Sequence, residues 1–248
     1  MKWKGAHHMK AILYIGHGTR SKKGAEEAIS FLQRVIQQVK VPIQEISFLE
    51  LTEPSIELGF QRCVERGATE ITVVPLFLLA AGHIKKDIPD VLLPLRENNP
   101  AVGVNMADPF GVQEEILDAV EELVRSVVED ISADDSLLIV GRGSSDASIH
   151  KAFAAITKGI RGRLGTEKAS VCYLAAANPR FEEALETVSR QATGKVIVIP
   201  YLLFSGLLLS EVIRNVKARQ RRGENIHFTG PLTEHRAIEN LFIKQIDG

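Results

Sequence analysis

The sequence has little of what marks most specialised protein classes. Only two cysteines occur, Cys63 and Cys172, in unrelated surroundings; this excludes a disulfide framework and a paired-cysteine zinc site, and fits a reducing cytoplasm. Neither sign of charge dominates, with 30 Lys and Arg against 31 Asp and Glu, so the basic excess of a nucleic-acid protein is missing. The N-terminus offers no apolar run long enough for a signal or membrane segment. A third glycine at fingerprint spacing after Gly16-His17-Gly18 is absent, as is the Gly-Lys-Ser/Thr of a phosphate-cradling loop. An arginine immediately before His17, which a histidine phosphatase would use to hold the phosphoryl group, is absent too. What remains is a globular chain of 248 residues, 45% hydrophobic, large enough to bury a core and suited to a small-molecule ligand.

Residues 1–8, His7 and His8 included, read as a leader or expression remnant ahead of Met9. From Met9 onward, short β-branched or apolar runs alternate with longer amphipathic stretches, the pattern of βαβ units around a parallel sheet. Strands are expected at 10–16, 42–49, 70–76 and 101–106, with helices at 22–39, 54–66, 87–98 and 112–128. Pro54 and Pro89 are placed in first helical turns and Gly67 as a stop. The acidic stretch 129–135 is the expected linker, with a new strand at 136–141. The fold class is α/β: two Rossmann-like halves, 9–130 and 136–248, each a mainly parallel sheet with helices on both faces.

The second half is a diverged copy of the first. Adding 125 to the residue number takes Gly16 and Gly18 to Gly141 and Gly143, Leu49 to Leu174, Pro54 to Pro179 and Pro75 to Pro200. Near the end the shift becomes 122, where Pro109 meets Pro231. Glycines and prolines that shape turns are kept in both copies. Three polar residues are not: His17 lies opposite Arg142, Glu50 opposite Ala175 and His83 opposite Leu208.

Each of the three follows one of the first three strands, at the carboxyl ends where open α/β sheets bind ligands. In a doubly wound order those strands are neighbours. Two imidazoles and a carboxylate make a nitrogen and oxygen set suited to a divalent first-row metal, Fe²⁺, Co²⁺ or Ni²⁺ among them. A structural zinc site would use four ligands, so this one leaves positions open. Imidazole also accepts protons near neutral pH. Taken singly, each residue also reads as an ordinary solvated or capping group; their joint loss from the copy points to function. Around the rim stand Arg20, Lys22, Lys23, Lys85, Lys86 and, from the second half, Arg142. The lysine pairs equally suit an exposed helix face, whereas Arg142 replaces His17 and suits a carboxylate.

Three segments carry a resemblance: Gly-His-Gly-Thr-Arg from Gly16 to Arg20, Phe-Leu-Glu-Leu-Thr-Glu-Pro from Phe48 to Pro54, and Val-Pro-Leu-Phe-Leu-Leu-Ala-Ala-Gly-His-Ile-Lys-Lys-Asp-Ile-Pro from Val74 to Pro89. On these the chain resembles the class II tetrapyrrole chelatases of the CbiX and SirB type, bacterial sirohydrochlorin ferrochelatases above all. The resemblance implies an active site in a cleft between two halves and insertion of Fe²⁺ into sirohydrochlorin to give sirohaem. It places metal handling at His17 and His83 with Glu50 as acidic partner. Arg20, Lys85 and Arg142 are the expected grips on the tetrapyrrole carboxylates. No permanently bound cofactor is expected, the metal being a substrate. Both halves lie in one chain, which favours a monomer. Cobalt or nickel chelation and a metal carrier without insertion activity remain the rival readings, with a phosphatase more distant.

Overall fold

The computed structural model describes residues 8–247. Seven of the eight positions read as a leader lie outside the described residues, and the eighth, His8, pairs with Glu70 at 2.7 Å. Strands and helices alternate as the periodicity predicts. The first repeat runs β1 (Lys10–Gly16), α1 (Lys22–Gln38), β2 (Ile43–Phe48), α2 (Ile56–Glu65), β3 (Glu70–Pro75), a π-helical turn (His83–Asp87) leading into α3 (Ile88–Asn98), β4 (Gly103–Met106) and α4 (Glu114–Val127). The second runs β5 (Ser136–Gly141), α5 (Ser148–Leu164), β6 (Lys168–Tyr173), α6 (Phe181–Gln191), β7 (Val196–Pro200), α7 (Leu207–Gln220), β8 (Ile226–Phe228) and α8 (Arg236–Asp247).

Each repeat builds its own four-stranded parallel sheet, ordered β2-β1-β3-β4 and β6-β5-β7-β8. In the first sheet the chain leaves β1 for β2 on one side and returns to β3 on the other. The crossovers therefore diverge between β1 and β3, which opens a crevice at the carboxyl ends of those two strands. β1 is buried at every position after Lys10, as a strand covered on both faces requires. α1 supplies part of that cover through Ala28, Phe31, Leu32 and Val35, spaced as one helical face. Leu13, Ile15, Phe60, Ile71 and Val73 belong to the core that the first sheet shares with its helices.

Packing divides the chain differently from the repeat. Among the described residues, one compact unit holds 8–109 together with 242–247, and the other holds Phe110–Leu241. Thus α4, the last helix of the first repeat, packs with α5 of the second unit, where Arg163 reaches Asp118 at 2.7 Å and Glu114 at 2.5 Å. Phe242 in turn lies 5.8 Å from Phe31 and 6.2 Å from Tyr14, ring to ring. The stretch expected as a linker ends on a structural anchor. Asp135 is buried, and its carboxylate accepts the Lys195 amide at 2.7 Å and the Ser132 amide at 2.9 Å.

The duplication extends to backbone conformation. Gly18 and Gly143 both sit at φ near +90°, at +89° and +91°, and Leu49 and Leu174 donate to the carbonyls of Gly16 and Gly141 at 2.9 and 3.0 Å. One expectation is corrected. Pro54 is not in the first turn of α2: its peptide bond, like that of Pro179, is cis, and the helix begins at Ile56. Ser55 is the cap, its Oγ accepting the Leu58 amide at 3.3 Å.

Candidate active site

The loop after β1 is pinned to the loop after β2. A Cβ at Gly18 would collide with the carbonyl oxygen of Glu50, so only glycine lets the two backbones meet there. The Glu50 amide donates to the carbonyl of His17 at 3.1 Å. Thr52 Oγ1 accepts the Thr19 amide at 3.0 Å and donates to the Thr19 carbonyl at 3.1 Å. This clasp fixes where His17 and Glu50 leave the backbone.

His17 and His83 meet over the β1/β3 crevice. Their Nε2 atoms stand 3.1 Å apart, with ring centroids at 4.7 Å and planes at 79°. The Phe77 ring flanks both, 6.0 Å from His17 and 6.2 Å from His83. Each imidazole is engaged at its other nitrogen: His17 Nδ1 lies 2.9 Å from the Gly18 carbonyl oxygen and His83 Nδ1 lies 2.7 Å from Asp87 Oδ2. Oxygens of these kinds only accept, so in each case Nδ1 carries the hydrogen. In the neutral rings both Nε2 atoms then carry lone pairs, 3.1 Å from one another. Two lone pairs at that distance repel, and a shared cation relieves the repulsion. Metal–nitrogen bonds of about 2.0–2.1 Å, meeting at right or tetrahedral angles, set two nitrogens roughly 2.9–3.4 Å apart. The pair fits two adjacent ligands of a single ion.

Glu50 Oε1 lies 3.6 Å from His17 Nε2, on a side chain that is 47% exposed. That is beyond hydrogen-bond range, and it leaves the carboxylate in touch with solvent. Among the described residues no group of three or more His, Cys, Asp or Glu side chains is arranged to hold a metal ion. The structure thus preassembles a histidine pair with a carboxylate beside it, not a closed three-donor cage.

The basic residues singled out from sequence divide by location. Arg20 is exposed at the end of the loop that carries His17, and Lys85 is exposed on the π turn two residues beyond His83. Arg142 is exposed at the carboxyl end of β5, in the second unit. Sequence reasoning missed Asp87 and Phe77 as members of the site. Asp87 was detectable in principle, because a carboxylate four residues after a histidine shares its helical face. Phe77 had no signal beyond its place in an apolar run. A cavity of 290 Å³ at the amino ends of β7 and β8, lined by Arg190, Arg219, Glu186 and Glu224 among others, is remote in sequence from all of these residues. There Arg219 is closed off by Glu186 at 2.6 Å and Glu224 at 3.1 Å.

Comparison with known proteins agrees with the fold and with the repeat. The CbiX family profile matches twice, over residues 11–127 and 136–248, once in each repeat. A sirohydrochlorin ferrochelatase of Priestia megaterium is 38% identical over 98% of this chain and 91% of its own length. SirB from Bacillus subtilis, solved with Fe³⁺, superposes with a TM-score of 0.85 at 34% identity, covering 96% of this chain and 94% of that one. The SirB structure from Bacillus subtilis subspecies spizizenii in complex with cobalt gives 0.83 at 34% identity with the same coverage. By sequence over both repeats, by strand order and by these structural matches, the chain belongs to the CbiX family of chelatases.

Proposed function

We propose that this protein is a sirohydrochlorin ferrochelatase, an enzyme that inserts Fe²⁺ into sirohydrochlorin, releases two protons and yields sirohaem. The observation that carries this reading is the His17–His83 pair, two imidazole Nε2 atoms 3.1 Å apart with Glu50 alongside. Imidazole nitrogens suit iron, cobalt and nickel alike, and two donors leave most of the ion's coordination positions for the incoming macrocycle. The metal is a substrate in transit, and no permanently bound cofactor takes part.

In this reading His17 and His83 hold the incoming ion, and Glu50 takes up one pyrrole proton while His17, once its Nε2 has released the ion to the macrocycle, takes up the other. The half-exposed carboxylate passes its proton to water. Arg20 and Lys85, near the histidines in the chain, and Arg142 in the second unit hold the carboxylates of the tetrapyrrole. Orienting metal against macrocycle removes much of the entropic cost of the encounter. The enzyme works as a monomer in the cytoplasm, free of nucleic acid. Among the described residues no helix is long and apolar enough to cross a membrane.

The decisive experiment is anaerobic incubation of the protein with sirohydrochlorin and Fe²⁺, following conversion of the free-base absorption spectrum. Acceleration over the protein-free mixture is expected. Metal binding without acceleration would leave a carrier as the answer. Parallel runs with Co²⁺ and Ni²⁺ rank the metals.

A further inference from the structure

We infer that Asp87 is a positioning residue for metal handling: it holds His83 in the tautomer and orientation that present Nε2 to His17. The geometry is direct, with Asp87 Oδ2 at 2.7 Å from His83 Nδ1. A carboxylate at that nitrogen keeps the hydrogen on Nδ1, fixes the ring's rotation and raises the electron density of the opposite nitrogen. Among the described residues the side chain does no other visible work. It makes no capping bond at the start of α3, and it is 47% exposed, so it does not fill the core.

The local backbone explains how the couple arises. His83–Asp87 form a π turn, closed by the Ile88 amide donating to the His83 carbonyl, and the helix runs on through Pro89. A proline seven residues into a helical run lacks a donor and crowds the carbonyl four positions back; widening the preceding turn to π relieves this.

The second repeat supplies an internal control. The shift of 125 persists into this segment, where Lys85 donates to the Ala81 carbonyl and Ser210 to the Gly206 carbonyl. There His83, Asp87 and Pro89 correspond to Leu208, Val212 and Arg214. Val212 is fully buried and α7 is a regular α-helix from Leu207 to Gln220. Histidine, carboxylate, proline and π turn are thus present together in one copy and missing together from the other. A carboxylate kept for solubility or helix stability alone would have no reason to follow the histidine.

The test uses the full chain and the variants Asp87→Ala and Asp87→Asn. Without metal or tetrapyrrole, long-range ¹H–¹⁵N NMR of the neutral imidazoles should show His83 as the Nδ1–H tautomer in the parent and shifted toward Nε2–H in Asp87→Ala. Titration with Co²⁺, read by its visible absorption, should weaken about 10- to 100-fold in that variant, with the thermal midpoint and the KM for sirohydrochlorin little changed. Asp87→Asn should recover much of the loss, because an amide oxygen still accepts the Nδ1 hydrogen. In a His83→Ala background, Asp87→Ala should cost nothing more. A His83 tautomer and Co²⁺ affinity unchanged in Asp87→Ala would overturn the inference. The consequence for iron insertion rests on the chelatase reading, but the tautomer does not. Loss of the Nδ1–H form in Asp87→Ala, in a protein whose parent inserts no metal, would therefore support the inference and count against the chelatase alone.

Discussion

His17 and His83, separated by 66 positions in the chain, place their Nε2 atoms 3.1 Å apart, and each ring is held by an oxygen at its Nδ1. With a hydrogen on each Nδ1, the Nε2 atoms of both neutral rings are acceptors, which suits the pair to sharing a cation. This frames the first prediction. His17→Ala and His83→Ala should each lower the insertion rate at least about 100-fold, a typical loss when a positioned acid–base group is removed. The double variant should be little worse than either single one, since residues acting as a unit are not additive. Stopped-flow spectra under anaerobic conditions measure this, and wild-type rates in either single variant would remove that residue from the mechanism.

Gly18 should tolerate no side chain. At φ +89° it occupies a region that costs an L-residue about 1–2 kcal/mol, and a Cβ there meets the Glu50 carbonyl. Gly18→Ala is expected to lose at least about 2 kcal/mol of stability and to displace Glu50 from His17. Urea unfolding and the insertion assay read the two effects separately. Gly67, also at positive φ but with open space where a Cβ would stand, serves as control: Gly67→Ala should cost stability without touching insertion.

Arg142→Ala should raise the KM for sirohydrochlorin at least about tenfold, the loss of one charged hydrogen bond of roughly 1.5–3 kcal/mol, while Co²⁺ affinity stays at the parent value. Steady-state kinetics beside a metal titration make the comparison. Weakened metal binding with an unchanged KM would reduce the second repeat to a scaffold.

Acid stability should depend on Asp135. Burial alone would raise its carboxyl, but hydrogen bonds from the Ser132 and Lys195 amides and the charge of Lys195 outweigh burial and hold it below the usual carboxylate range. A lowered value in the folded state stabilises the protein above the unfolded value, about 3.9, and that stability is lost as pH falls through the folded value. At pH 7 Asp135→Asn should be less stable by about 1–3 kcal/mol, with the gap closing below about pH 4. Urea midpoints across that range test it.

Both thiols should be silent in the native protein. Cys63 and Cys172 are fully buried, and burial pushes each thiol up to about 12, assisted at Cys63 by the nearby charge of Glu45. Little reaction with a disulfide reagent is expected at pH 8 until denaturant is added, because the thiolate is the reactive form. Rapid native labelling would show that the cores open readily.

The amino-acid sequence by itself determined the alternation of strands and helices, the repeat with the glycines and prolines that both copies retain, and the three polar residues lost from the second copy. Those features are local: they follow from hydrophobic period, from the conformations that Gly18 and Gly143 share, and from comparing one half with the other. The tertiary structure decided what period does not encode. It turned the expected first-turn proline of α2 into a residue ahead of a serine cap, and it sent α4 into the second unit while Phe242 returned to the first. It also brought Asp87 and Phe77 to the histidines. Periodicity reports which face of an element is apolar; it carries no information on which distant loop that face will meet. His17 and His83 converge because β1 and β3 pair in parallel at the point where the crossovers part, and only the packed sheet sets the 3.1 Å between them.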